Sequence, residues 1–326
     1  MSQLNRIVVL GAIWVSLGYA DAGIVSLRPL YTPETAVLNP ALVDLWTDKG
    51  ITFRIEADGD TGYQVVVDRE QVATIHLVQL GGETIADLVF IQQQSFFPQL
   101  SIHYFARLRV EGNTLHVDGL GGEKLVKRIE RTGSPRYERL PMESHGEDYM
   151  VLTASTAELR QFVLDFLKLP EDFADSSTYE RAGPKERAAD LNERRWAVVS
   201  GRSSPEEYAK GLERAQEAVR LVPSDPEYWS TLGAAQYRSG AFNESLGALA
   251  RAEQLRNAAS IEDLIFRAMS HQQLGQKEKA QTVLLGELSK MLGDPRYLGD
   301  LQRYCGDQDK RSLLLEAEKL VVPKGK

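Results

Sequence analysis

The sequence predicts an α+β protein in two parts: an antiparallel β-barrel or sandwich with flanking helices, followed by an α-helical array. Three observations carry this. Between about residues 47 and 118, apolar residues alternate with period two, the pattern of strands with one buried face. The segments are joined by short turn-forming stretches, Asp58-Gly59-Asp60-Thr61-Gly62, Gly81-Gly82 and Glu111-Gly112-Asn113, which reach only an antiparallel neighbour. From Leu191 onward the apolar period changes to 3.6, and a longer repeat is superimposed on it.

Residues 1–22 have the three-part layout of a secretory signal peptide. Arg6 precedes the uncharged, mostly apolar run Ile7 to Gly18, and Ala20-Asp21-Ala22 offers a small-x-small cleavage signal before Gly23. The run is short for a bilayer-spanning helix, so no transmembrane span is expected after cleavage. An uncleaved N-terminal anchor is the alternative.

Residues 23–168 form the β-rich part. Leu42 to Trp46 opens it, and Ile51, Phe53 and Ile55 share one face, as do Tyr63, Val65 and Val67. Val72 to Leu80, Thr84 to Ile91, Ile102 to Val110 and Thr114 to Val117 continue the meander, which closes or packs as a small barrel or sandwich. Glu123 to Arg131 reads as a short helix and Tyr149 to Thr153 as one more strand. Ser155-Thr156-Ala157-Glu158 is a capping-box pattern; it introduces a helix with Leu159, Phe162, Val163, Phe166 and Leu167 on one side. Residues 169–190, polar and containing Pro170, Gly183 and Pro184, read as a linker.

Residues 191–322 form the helical part. Its clearest unit starts at Pro226 and carries Trp229-x2-Leu232-Gly233, Tyr237, Gly240, Phe242, Leu249, Ala252 and Leu255. Gly233 lets two helices cross closely, Gly240 ends the first helix in a left-handed turn, and Phe242 fills the wedge between them. Trp196, Tyr208, Ala215, Ala218, Leu221 and Pro223 fit an earlier unit starting near Asn192. Leu264, Ala268, Gly275, Ala280 and Leu284 fit a later one starting near Ile261, so the starts lie 34 and 35 residues apart. Arg311 to Val321 reads as a capping helix with Leu313, Leu314, Ala317 and Leu320 inward.

This pattern resembles the tetratricopeptide repeat, a helix–turn–helix unit that stacks into arrays. Gln236 stands where the repeat usually has Tyr, and Ser245 where it usually has a small Ala. The resemblance implies an inner face lined by the first helix of each unit. By position, that face holds Glu227, Ser230, Ala234, Tyr237 and Arg238, then Glu262, Ile265, Met269, Gln272 and Gln273. In the β-rich part, Leu38 to Val43 with Trp46, His76-Leu77-Val78-x-Leu80-Gly81-Gly82, and Leu152 to Leu159 resemble segments of uncharacterised bacterial exported proteins with a lipocalin-like β domain. That resemblance implies a fold but no activity; the periplasmic or secreted location is expected from the signal-peptide layout of residues 1–22.

Composition narrows the chemistry. The net charge is −8, and the acidic excess lies between Gly23 and Ala189. With no basic stripe, nucleic acid is not an expected partner. Cys305 is the single cysteine, so no intrachain disulfide forms. Of five histidines, only His145-Gly146-Glu147-Asp148 gathers potential metal ligands, and spacing that tight favours a solvated loop. The sequence has no His-Glu-x-x-His, no Gly-x-Ser-x-Gly, no P-loop and no Cys pair, so no catalytic residue, metal ligand or cofactor is assigned.

Two readings follow. In the first, the protein is a non-enzymatic scaffold that holds a protein or peptide partner at Ser230, Ala234, Tyr237, Arg238, Ile265, Met269, Gln272 and Gln273. Against it stands the reading that the hairpins only cover the β domain or its twin in a homo-oligomer. In the second, a lipocalin-like barrel carries a small apolar ligand and the array is a docking or oligomerisation module. Export has a direct test: N-terminal sequencing of protein extracted from its own cells should begin at Gly23, and recovery of Met1 would establish an anchor instead.

Overall fold

The computed structural model describes residues 24–67, 70–91, 101–140, 149–168, 173, 176–193, 203–288 and 308–321. The signal-peptide segment 1–22, the loop His145 to Asp148, Trp196 and Cys305 lie outside the described residues. The chain divides into two compact units, Met1–Ala182 and Gly183–Lys326, an α+β arrangement with strands first and a helical region after.

The elements of the first unit are β1 (Ile24–Ser26), β2 (Asp44–Asp48), β3 (Ile51–Asp58), β4 (Gly62–Val67), β5 (Glu70–Leu80), β6 (Glu83–Phe90), β7 (His103–Glu111), β8 (Thr114–Gly119), α1 (Glu123–Thr132), β9 (Tyr137–Leu140), β10 (Tyr149–Leu152), α2 (Thr156–Phe166) and β11 (Ser176–Arg181). Strands β2 to β8 form an antiparallel meander in which each pairs with the next, except that β2 and β8 are not neighbours. Between those two lies β11, antiparallel to both. With β6 also paired to β7, the ring β2–β3–β4–β5–β6–β7–β8–β11 is a closed eight-stranded barrel. β1 extends the sheet from β7, runs parallel to β10, and β9 lies outermost.

Alternation along each strand fills the barrel. Phe53, Ile55, Tyr63, Val65, Ile75, Leu77, Ala86, Leu88, Tyr104, Ala106, Leu108, Leu115, Val117 and Tyr179 pack into one cluster with Trp46. Side chains of the chain itself thus occupy the interior, as is usual for a barrel of this strand number. The opposite faces of β5, β6 and β7 supply Val78, Leu80, Ile85 and Phe105, which pack with Leu125 and Ile129 of α1 and Leu159, Val163 and Phe166 of α2. The capping box is present: Ser155 Oγ accepts from Glu158 N, and the Glu158 carboxylate accepts from Ser155 N. The Ser155 hydroxyl and backbone N–H both donate to the Glu158 carboxylate, and together with a bond from Arg136 they lower the Glu158 carboxyl to about 2.

The expectation of a linker over 169–190 is corrected. Its middle is β11, and from Pro184 it is already helix. Polarity misled because β11 buries Tyr179 as its one fully enclosed residue and is held largely by polar anchors. Asp118 is fully buried and takes Arg107 Nε at 2.8 Å, Arg109 Nη2 at 3.3 Å and the Ser176 hydroxyl. The Arg107 guanidinium lies 3.9 Å from the centroid of the Phe173 ring. Arg181 pairs with Asp44 and covers the Trp46 ring at 4.8 Å. β1 and β9 were likewise not anticipated; both are short, and β9 is almost wholly exposed.

The second unit contains α3 (Pro184–Glu193), α4 (Pro205–Leu221), α5 (Pro226–Arg238), α6 (Phe242–Arg256), α7 (Ile261–Gln273), α8 (Lys277–Gln281) continuing as a π-helical stretch Thr282–Leu288, and α9 (Gln308–Val321). The earliest unit starts at Pro184, ahead of the expected Asn192, with Ala188 of α3 packed among Ala215, Ala218 and Val219 of α4. The α5–α6 hairpin has the predicted close crossing. A Cβ added at Gly233 would lie 2.6 Å from Leu249 Cγ and Cδ2 and 3.3 Å from the Ser245 carbonyl oxygen. Ser245, the departure from Ala, is fully buried and donates to the Gly233 carbonyl at 2.7 Å, while Ser270 Oγ of α7 donates to Ser245 Oγ at 3.2 Å. Gly240 and Gly275 end α5 and α7 with φ of 80° and 75°, backbone that glycine adopts without strain.

Two predictions arise from this packing. Burial works to raise the Asp118 pKa, but Ser176, Arg107 and Arg109 outweigh it and hold the carboxyl below its ordinary value. Its stabilising contribution is complete above about pH 4 and lost as pH falls through the lower folded value. Urea midpoints measured from about pH 7 to about pH 3 should fall further for the native protein than for Asp118→Asn, which has lost the contribution throughout. In the helical unit, Gly233→Ala should destabilise by about 1–3 kcal/mol through overpacking against the enclosed Leu249. Gly247→Ala, at an open position of α6, should stabilise by roughly 0.5–1 kcal/mol. Denaturation followed by the helical circular-dichroism signal separates the two.

Candidate functional site

The inner face predicted from the repeat is made by α5 and α7, and their caps set its register. Asp225 accepts from Glu227 N at 2.9 Å, and Pro226 stands in the first turn, where a missing N–H costs nothing. Ser260 and Asp263 form a reciprocal capping box at the start of α7. The two caps lie 35 residues apart, so Ser230 corresponds to Ile265, Ala234 to Met269, Tyr237 to Gln272 and Arg238 to Gln273.

The fold brings most of these residues together. Ala234, Tyr237, Ile265 and Met269 lie in one core cluster with Phe266. The Tyr237 ring meets Phe266 edge-on at 5.6 Å between centroids and tilts against Phe242 at 5.6 Å. Its hydroxyl is hydrogen-bonded to Gln273. Burial raises the Tyr237 pKa, with Glu316 adding to the rise. Gln273 is exposed at the edge of the face, while Gln272 is half-buried, its amide oxygen without a partner among the described residues.

Ser230 is employed elsewhere. Arg256, at the end of α6, reaches Asp263 Oδ2 at 2.7 Å, Glu227 Oε1 at 2.9 Å and Ser230 Oγ at 3.0 Å. Burial works to lower the Arg256 pKa, but the Asp263 and Glu227 carboxylates outweigh it and raise it. Arg256 therefore adds a polar tie between α5 and α7 to their apolar packing.

The expected inner face is covered within the chain itself. Tyr237 is 7% exposed, Ala234 2%, and Ile265 and Met269 0%, because α9 lies over them. Leu313, Ala317 and Val321 of α9 belong to the same cluster. Arg238 is held by Glu316 of α9 through two parallel hydrogen bonds, Nη1 to Oε1 and Nη2 to Oε2, the second at 2.8 Å. The guanidinium also lies 5.4 Å from the Tyr237 ring centroid and 5.5 Å from that of Phe266. A paired guanidinium between two rings is the most polar feature of an otherwise apolar bed. Glu316 was not anticipated. The signal for it was Leu313, Ala317 and Val321 at spacing four, which sets the residue before Ala317 on the edge of the buried stripe.

The arrangement seats a helix of this chain on an apolar bed around one paired guanidinium. Among the described residues, no three His, Cys, Asp or Glu side chains gather where they could hold a metal ion. A second polar cluster, in the barrel wall, is structural. Asp87 is fully buried, bonds His103 Nδ1 at 2.6 Å and accepts from Leu30 N at 2.6 Å, while His76 stacks on Tyr31 at 3.8 Å. It fastens the segment after β1 to β6 and β7. Among the described residues, no helix is long and apolar enough to cross a membrane.

No protein-family profile matches the chain, and no curated protein matches it. Among solved structures, the Arabidopsis OM64 TPR domain aligns with a TM-score of 0.29 and 14% identity, over 42% of this chain and 98% of that one.

The tie between α5 and α7 has a measurable consequence. Arg256→Ala removes the cationic partner of Asp263, which is 1% exposed and keeps its Ser260 capping bonds, and should cost about 3 kcal/mol or more. Arg220→Ala breaks only an exposed pair with Glu217 and should change stability by less than about 0.5 kcal/mol. Chemical denaturation of both variants gives the comparison.

Proposed function

We propose that the protein is an exported, non-enzymatic scaffold whose helical hairpins hold a polypeptide partner on the α5–α7 face. One observation supports this above others: that face already holds a helix, seated on Tyr237, Ile265 and Met269 and oriented by the Arg238–Glu316 pair. Bidentate guanidinium–carboxylate bonding fixes geometry as well as adding energy, and Tyr, Met and Arg are residues on which protein interfaces concentrate their binding energy. Ligand carriage in the barrel has no comparable support, since the interior is occupied by the chain's own side chains.

The test uses a photoreactive amino acid in place of Gln273, at the exposed edge of the face, and in place of Arg220, exposed on α4. Irradiation in the native cell envelope should join a discrete polypeptide to the Gln273 position and none to the Arg220 position. That polypeptide should rebind the purified protein and lose at least about tenfold in affinity, roughly 1.4 kcal/mol, on Arg238→Glu. Equal crosslinking from both positions would exclude the α5–α7 face as the docking site.

A further inference from the structure

A capping helix that simply continues a stack of hairpins packs on the last hairpin. α9 packs on α7 and on the α8 stretch, but it also reaches back one hairpin further, where Glu316 pairs with Arg238 of α5. It therefore lies across the face formed by two successive first helices. Its contact surface is a narrow stripe: Leu313 and Val321 are enclosed, Ala317 between them is fully buried, and Leu314 and Leu320 are only partly covered. A small residue at the centre lets the helix axis approach α7 closely. Leu315 on the far side is 52% exposed. A helix of this length is marginal in water by itself, so its order is coupled to its seat.

We infer that α9 is a displaceable internal occupant, and that the partner is a segment forming an amphipathic helix of the same layout. This inference rests on the docking reading above and names the partner's chemistry. The segment carries a branched apolar residue, a small residue four positions later and another branched apolar residue four after that. A carboxylate immediately precedes the small residue. The apolar positions fill the bed of Ala234, Tyr237, Ile265 and Met269, and the carboxylate takes the Arg238 fork. Because Arg238 is 8% exposed beneath α9, partner and α9 exclude each other. The affinity of the intact chain for such a segment is then reduced by the fraction of molecules with α9 seated.

The experiment uses the full chain and a fluorescent synthetic peptide of residues 308–321. Glu316→Lys sets a positive charge against Arg238 without altering the apolar stripe. Hydrogen exchange in α9 should accelerate at least about tenfold, while α5 and α7 keep their protection. Fluorescence anisotropy should show the peptide binding this variant at least about tenfold more tightly than it binds the native chain. A peptide bearing the Glu316→Lys change should bind neither, yet should bind the chain bearing Arg238→Glu, restoring the pair with reversed signs. Loss of protection in α5 and α7 together with α9 would make α9 an integral cap and overturn the inference. So would equal binding of both peptides to every chain, or release of α9 without tighter peptide binding. A polypeptide crosslinked at the Gln273 position that excess peptide fails to displace leaves docking standing and refutes this partner chemistry. Charge-dependent peptide binding with no crosslinked polypeptide upholds the surface and refutes a partner from outside the chain.

Discussion

The first unit depends on one closure. Seven consecutive strands, β2 to β8, curl until β2 and β8 approach each other, and an open pair of edges there would offer unpaired N–H and C=O groups to solvent and to other chains. β11 fills the gap, pairing with β8 from Ser176 to Glu180 and with β2 at Glu180 and Arg181. The remaining features of this unit follow from that. Asp118 must be buried to receive Ser176 and the two arginines, and Arg181 must lie over Trp46 to pair with Asp44. The barrel therefore needs the chain as far as Arg181, and the helical unit begins only after it, at Pro184.

The helical unit obeys a related constraint. The first helices of its hairpins are apolar on more than one side: α7 buries Ile261, Leu264, Ile265, Phe266, Ala268 and Met269, more than one neighbouring helix can cover. Left bare, Ile265, Met269 and Tyr237 would form a contiguous exposed apolar patch of the kind that marks an interaction surface. α9 resolves this by covering them. The face proposed for a partner is thus the one that α9 shields from water, so shielding and recognition draw on the same residues.

Much of both units was legible in the sequence, and for local reasons. Period-two alternation and Gly-containing turns located β3 to β8 because strand faces and hairpin connections are properties of adjacent residues. Gly233 announced a close crossing, borne out by the 2.6 Å approach to Leu249 that any side chain there would make. The Ser155 and Glu158 pattern located the start of α2 because a capping box is complete within four residues. β11 was illegible for the converse reason. It buries a single aromatic and earns its place from partners 58 and 137 residues away, Asp118 and Asp44.

The inner face divides along the same line. The resemblance to the repeat, carried over by position, assigned Ala234 and Tyr237 of α5 and Ile265 and Met269 of α7 to one face. The sequence by itself also determined that α9 is amphipathic. Only the tertiary structure decided that the two meet, that Ser230 is claimed by Arg256, and that Arg238 is claimed by Glu316, 78 residues away. Periodicity states that a face is apolar, but what covers it depends on which distant segment can lower the free energy most by docking there.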